Sequence, residues 1–202
     1  MLRLTGGRFK GITLETPAHL RTRPTQSKLR QALFNSLQTH VTESRVLDLF
    51  AGSGALGFEA LSRGAKEVVF VDESKSACQT IQKNVAILGV EDQVSLLKIS
   101  MEMTGPSIGL DQLKTFEPFD IILADPPYEQ GWELRLLSLF PWDELLKPEG
   151  KFCLEWAYHS RSHVQDLPER FPFLVKVRQK NYGNSVLSTY EKQSREQGQE
   201  QK

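Results

Sequence analysis

Cysteine is nearly absent: Cys78 and Cys153 are the two in 202 residues. They stand far apart and match no metal-ligand spacing, so they read as buried, reduced and unrelated thiols; a disulfide framework and a metal site are both excluded. Long apolar runs are missing as well. No stretch approaches the roughly 20 residues needed to cross a bilayer, and Met1-Leu2-Arg3-Leu4-Thr5-Gly6-Gly7 lacks the apolar centre of a secretory signal, so a cytoplasmic protein without a membrane segment is expected. Net charge is absent too, since 25 Lys/Arg meet 25 Asp/Glu. What remains, 39% apolar and 25% charged residues, is ordinary globular composition, and the length suits one core with a small appendage.

The zero balance hides an uneven distribution. Residues 1–40 hold seven bases (Arg3, Arg8, Lys10, Arg21, Arg23, Lys28 and Arg30) against the single acid Glu15, whereas residues 41–150 hold nine bases and eighteen acids. A basic module on an acidic body is what contact with a phosphate backbone requires, because Lys and Arg there release condensed counterions. Arg8, Lys10, Arg21, Arg23, Lys28 and Arg30 are the candidate nucleic-acid-binding residues. The alternative is a solvated basic face that binds nothing.

Around Gly6-Gly7 and Gly11 the pattern predicts a short twisted hairpin over residues 2–16, too small to stand alone. Pro24 and Thr25 open an amphipathic stretch with Leu29, Leu33 and Leu37 at four-residue spacing, which predicts a helix over 26–39. From Arg45 onward short apolar runs at 46–50, 68–71, 94–99, 119–124 and 152–156 alternate with helical stretches at 55–63, 76–88 and 132–140, and a short helix fits near 110–116. Continuous apolar strands alternating with helices indicate a parallel sheet covered on both faces. Segments 173–180 and 185–191, flanking Tyr182-Gly183-Asn184, predict a closing antiparallel hairpin, so the sheet is mixed. The expected organisation is a basic hairpin-plus-helix extension over 1–40, a catalytic domain over 41–192 and a disordered polar tail over 193–202.

Val46-Leu47-Asp48-Leu49-Phe50-Ala51-Gly52-Ser53-Gly54-Ala55-Leu56-Gly57 reads as a strand, a glycine-rich turn and the start of a helix. Small residues let the backbone turn sharply and let a ligand approach the unpaired N–H groups of the helix. The glycines satisfy the dinucleotide-binding pattern G-x-G-x-x-G, but two details favour a nucleoside without phosphates. Asp48, just ahead of the glycines, disfavours a pyrophosphate and attracts the ammonium group of a bound amino acid. Asp72 ends the second strand, where a carboxylate can accept both ribose hydroxyls, with Glu73 as the fallback one position on. Phe50, Ala51, Gly52, Ser53, Gly54 and Gly57 complete the candidate cofactor loop. For Asp48 a helix-capping role is the competing reading.

The fourth strand delivers Asp125-Pro126-Pro127-Tyr128 to the carboxyl edge of the sheet, where open α/β folds bind ligands. Two consecutive prolines fix the backbone and have no N–H, so their carbonyls remain free to accept hydrogen bonds. An amino group offers two donors. The Asp125 carboxylate and the Pro126 carbonyl can accept both, aiming the nitrogen lone pair at a sulfonium methyl, while Tyr128 stacks on the ring that bears the amine. Asp125, Pro126, Pro127 and Tyr128 are therefore the candidate catalytic residues of an S-adenosylmethionine-dependent methyltransferase acting on an exocyclic amine.

With these residues in place the chain resembles the RsmD family of bacterial methyltransferases nearly end to end. The resemblance runs from Gly6-Gly7 and Gly11 through Thr22-Arg23-Pro24-Thr25, Ala32-Leu33-Phe34-Asn35, the stretch from Val46 to Gly57, Asp125-Pro126-Pro127-Tyr128 and Tyr182-Gly183. It implies an α/β, Rossmann-like class I methyltransferase fold with a seven-stranded mixed sheet, S-adenosylmethionine as cofactor, and the N2 amine of a guanine in 16S ribosomal RNA as acceptor. It also implies a substrate presented within the small subunit or a late assembly intermediate, and RNA gripped by the N-terminal module; a monomer is expected. Many relatives carry Glu where Asp72 stands, and Phe is also common at Tyr128. Ser100 occupies the position after the third strand where methyltransferases often have an Asp for the adenine amine, which leaves adenine to backbone groups around Met101.

Four other functions compete with this one. An adenine-N6 or a glutamine-N5 methyltransferase resembles this site but often has Asn at the Asp125 position, and glutamine methylation calls for a peptide-binding module rather than a basic one. A nicotinamide-dependent oxidoreductase is opposed by Asp48 and the tetrapeptide. A catalytically silent RNA-binding protein fits the basic arm but gives the intact site no use.

Overall fold

A computed structural model describes residues 2–17, 24–101, 108–128, 130–157 and 166–193. The chain opens with β1 (Leu2–Arg3) and β2 (Thr13–Leu14), which form a small antiparallel ribbon, as the glycines around it predict. Then come α1 (Pro24–Ser36), α2 (Gln38–Val41), β3 (Arg45–Leu49), α3 (Ala55–Ser62), β4 (Glu67–Asp72) and α4 (Lys75–Leu88). After one 3-10 turn the order continues with β5 (Val94–Lys98), α5 (Ile108–Leu113), β6 (Phe119–Ala124), α6 (Trp132–Leu139), α7 (Trp142–Leu145), β7 (Leu146–Ala157), β8 (Leu174–Tyr182) and β9 (Ser185–Lys192). Arg21, Arg23 and, apart from Gln193, the tail expected over 193–202 lie outside the described residues.

The large sheet has seven strands in the order β5-β4-β3-β6-β7-β9-β8, with β9 antiparallel to both of its neighbours and the other pairings parallel. This is the seven-stranded mixed sheet of Rossmann-like methyltransferases. The direction of winding reverses between β3 and β6, the place where open α/β sheets bind ligands beyond their carboxyl ends.

Strand parity divides the core in two. Leu47, Leu49, Val69, Val71, Ile122, Phe152 and Leu154 join one buried cluster, while Val46, Val68, Phe70, Ile121, Leu123 and Cys153 join the other. Leu2, Leu4, Leu14, Leu33, Phe34 and Leu37 belong to the second cluster, so the basic N-terminal segment is packed onto the same sheet face as α3.

Two elements depart from the sequence pattern. The helix expected over 26–39 is split: α1 ends at Ser36, whose hydroxyl and the following Leu37 amide both donate to the Leu33 carbonyl, at 2.7 and 3.1 Å, and the chain restarts as the short turn of α2. The strand expected over 152–156 starts at Leu146: Phe119 pairs with Leu146 but Ile121 pairs with Lys151, so the polar residues between them bulge out with Glu149 at φ +61. The closing hairpin turns on Gly183, whose φ of +61 suits a two-residue connection between the paired Tyr182 and Ser185.

Candidate active site

The glycine turn after β3 is built for close approach. Gly54 sits at φ +76, and a Cβ on Gly57 would come within 2.2 Å of the Phe70 ring, so α3 lies on the sheet at a distance only glycine allows. Phe50 adopts φ +58, a conformation most side chains avoid, and its ring meets the Trp132 ring edge-on at 5.0 Å. The Ala51 amide donates to the Val71 carbonyl at 3.0 Å, tying the turn to β4.

Asp48 is 1% exposed and accepts the Gly57 amide at 2.8 Å, so it caps the first turn of α3. One oxygen serves the cap, and no hydrogen bond among the described residues engages the other. Both readings of Asp48 are compatible in this geometry. Its carboxyl is pushed up to about 8, by burial first and then by the charge of Asp72, against the opposing effect of the Gly57 amide.

Asp72 closes β4 as expected and accepts the Gly52 amide at 2.7 Å and the Ser74 amide at 2.8 Å. Each oxygen retains a lone pair for a further donor. Glu73 is turned away to the surface, where it accepts the Ser100 hydroxyl at 2.9 Å, and the neighbouring Met101 is buried. Ser100 is thus brought to Glu73, not to Asp72.

Asp125 follows β6 directly, and behind it Pro126 is buried while Pro127 and Tyr128 are exposed. The Tyr128 hydroxyl donates to Glu155 at 3.1 Å, and the residue is 41% exposed. Glu155, in β7, is 5% exposed. Ala124 pairs with Leu154, so Asp125 and Glu155 are the next residues of two adjacent parallel strands.

Asp72 in β4, Asp48 in β3, Asp125 just past β6 and Glu155 in β7 therefore share the parity of the second cluster, with Asp48 one pleat behind because it pairs with Phe70 and Leu123. Their electrostatics follow the same order. Burial raises the Asp125 carboxyl well above the carboxylate range, helped by the charges of Glu155 and then Asp48, and burial likewise raises Glu155. The result is a group of four acids at the carboxyl end of the sheet, Asp48 set behind the other three, with no cationic partner among the described residues for Asp48, Asp125 or Glu155.

The basic candidates divide. Arg8, Lys10 and Lys28 are exposed, with the Arg8 guanidinium over the Phe9 ring and hydrogen-bonded to Gln93. Arg30, expected on the RNA face, is instead 4% exposed: Nε lies 3.2 Å from the Glu59 carboxylate and Nη2 donates to the Arg3 carbonyl at 2.7 Å. Glu59 is fully buried and also accepts the amide and hydroxyl of Thr5 and, at 2.8 Å, Nε of Arg63, so Arg30 and Arg63 together neutralise a core acid and Arg30 clamps the N-terminal ribbon. Arg30 therefore does not belong to the basic face.

Two residues of the site escape a reading of the sequence. Glu155 is a lone acid inside the apolar run Phe152-Cys153-Leu154-Glu155-Trp156, and the cost of burying a charge there was the available signal. Asn84 of α4 is fully buried; it donates to the carbonyls of Glu15 and Ser53 and accepts the Glu15 amide, joining the N-terminal segment to the glycine turn. No local pattern reveals that bridge.

Residues 2–191 match the family described as conserved hypothetical protein 95. The chain is 34% identical over 191 residues to the Bacillus subtilis protein named "Putative rRNA methyltransferase YlbH", covering 95% of this chain and 99% of that one. It is 33% identical over 157 residues to "Ribosomal RNA small subunit methyltransferase D" of Haemophilus influenzae, covering 76% of this chain and 78% of the other. Among solved structures, "Putative methyltransferase yhhF from Escherichia coli" superimposes with a TM-score of 0.77 at 28% identity, covering 95% of this chain and 97% of that one.

Proposed function

We propose, because the chain belongs to the conserved hypothetical protein 95 family, which is the RsmD family, that it transfers a methyl group from S-adenosylmethionine to the exocyclic N2 amine of a guanine in 16S ribosomal RNA. The observation that carries the reaction is the placement of Asp125-Pro126-Pro127-Tyr128 at the switch point of the sheet, beside the glycine turn. The names of the relatives support ribosomal RNA as the substrate class.

The group of acids fits this cofactor. A sulfonium and an ammonium are both cationic and favour the ionised form of Asp48, Asp72 and Asp125, whereas the pyrophosphate of a nicotinamide dinucleotide would oppose it. The unengaged oxygen of Asp48 faces the ammonium, Asp72 takes the ribose hydroxyls, and the backbone of the glycine turn lies against the amino-acid portion. Backbone groups near Met101 are left for the adenine.

S-adenosylmethionine supplies an electrophilic methyl whose transfer breaks the sulfur–carbon bond and discharges the sulfonium. The protein's part is alignment. Asp125 and the Pro126 carbonyl accept the two N–H donors of the amine, and Tyr128 stacks on the base, so that the nitrogen lone pair is aimed along the line of transfer. The methylated nitrogen must then lose a proton. Burial and neighbouring charge make Asp125 a stronger proton acceptor than an ordinary aspartate, which suits it to stabilise that charge.

Small-subunit rRNA, free or assembled, incubated with methyl-labelled S-adenosylmethionine tests the assignment by nucleoside mass spectrometry. Labelled N2-methylguanosine is the expected product. Label in N6-methyladenosine, or none in either RNA form, contradicts it.

A further inference from the structure

Asp125 and Pro126 account for the amine but not for the identity of the base that carries it. Adenine N6 and guanine N2 present the same pair of N–H donors. They differ one atom away: beside its amine, guanine carries the N1–H donor, whereas adenine carries the bare N1 lone pair. A site that chooses guanine needs an acceptor next to the group that holds the amine.

Glu155 occupies that place. It leaves β7 beside Asp125, one residue past the Ala124–Leu154 pair, and its strand parity turns it to the same face. The Tyr128 hydroxyl donates to Oε1 at 3.1 Å, a bond that favours an accepting carboxylate against the burial that raises the group. The Tyr128 bond does a second thing. It ties the Tyr128 ring, the stacking platform, to the buried acid, so that the plane of a stacked base and the acceptor at its edge are fixed relative to each other.

We propose that Glu155 is the specificity residue of this site: its carboxylate accepts the N1–H of the same guanine whose N2 amine is held by Asp125 and Pro126. The proposal rests on the guanine-N2 reading above. Two adjacent carboxylates then meet two adjacent donors of one Watson–Crick edge, and adenine in the same pose would set its N1 lone pair against the Glu155 oxygen. A glutamine side chain offers no second donor beside its amide nitrogen.

The test uses 2,6-diaminopurine, which keeps the N2 amine but replaces N1–H with a lone pair. After the methylated guanine is mapped, small-subunit rRNA is religated around a synthetic segment bearing guanine or 2,6-diaminopurine at that position. The wild-type enzyme is expected to prefer guanine in kcat/KM by about 10- to 100-fold. Glu155→Gln, whose amide can donate to N1, should shrink that ratio by about tenfold or more, with 2,6-diaminopurine gaining while guanine loses. A wild-type enzyme that methylates both bases equally overturns the role of Glu155 even if the variant does not fold, and so does a Glu155→Gln enzyme with an unchanged ratio. Absence of N2-methylguanine from the guanine RNA overturns the underlying reading instead, and the inference with it.

Discussion

The Gly57 amide donates to Asp48 at 2.8 Å, which places an almost wholly buried carboxyl under the first turn of α3 and directly behind the glycine turn. An aspartate raised to about 8 holds its proton more tightly folded than unfolded. Its contribution to stability is therefore fullest below the unfolded value of about 3.9 and is lost as the pH climbs towards about 8. Urea unfolding of the ligand-free protein across this window should show stability falling with pH. Asp48→Asn should flatten that fall by up to about 1.4 kcal/mol per pH unit, and an unchanged slope removes Asp48 from the account.

Gly57 answers a packing demand. A Cβ at this position would stand 2.2 Å from Phe70 Cε1, so Gly57→Ala must push α3 off the sheet. The expected cost is about 1–3 kcal/mol in unfolding free energy, with weaker S-adenosylhomocysteine binding because the turn moves with the helix. Calorimetry showing unchanged binding and unchanged stability contradicts this reading of the turn.

Asp125→Ala separates alignment from cofactor binding. Methyl transfer should fall by at least about 1000-fold while S-adenosylhomocysteine binds within a few-fold of wild type, since the hydrogen bond removed is the one to the acceptor amine. Retained activity would remove the tetrapeptide from the chemistry.

The basic segment predicts two different phenotypes. Substituting Arg8, Lys10 and Lys28 with Ala should weaken RNA binding and reduce its salt dependence, by about 0.7 to 0.9 in log–log slope for each phosphate no longer neutralised. Arg30→Ala should instead lower stability by about 1–3 kcal/mol, because buried Glu59 keeps Arg63 but loses its second cationic partner and the Arg3 carbonyl loses its donor. Equal stability of Arg30→Ala and wild type in urea would contradict the clamp.

The sequence makes the strand–turn–helix around Asp48 and the exit of β6 legible because each is local: apolar runs, glycines and prolines act within a few residues of themselves. Even the strand end at Asp72 follows from the apolar run before it. Arg30 misleads because charge along the chain carries no information about direction, and only the fold reveals Glu59 waiting beneath it. Glu155 is hidden for a related reason: β7 supplies the acid, but its neighbours Asp125 and Tyr128 come from β6 and its exit, 27 or more residues earlier. The bulge in β7 and the break at Ser36 are departures of a few residues, which the average pattern of a strand or helix conceals.

The central claim is that this site methylates guanine N2 in small-subunit ribosomal RNA. Mass spectrometry of 16S rRNA nucleosides from cells with and without the protein tests it most directly. One N2-methylguanosine should disappear with the protein and return with the wild-type gene but not with Asp125→Ala. An unchanged N2-methylguanosine content, with a loss of N6-methyladenosine or of no modification at all, would contradict it.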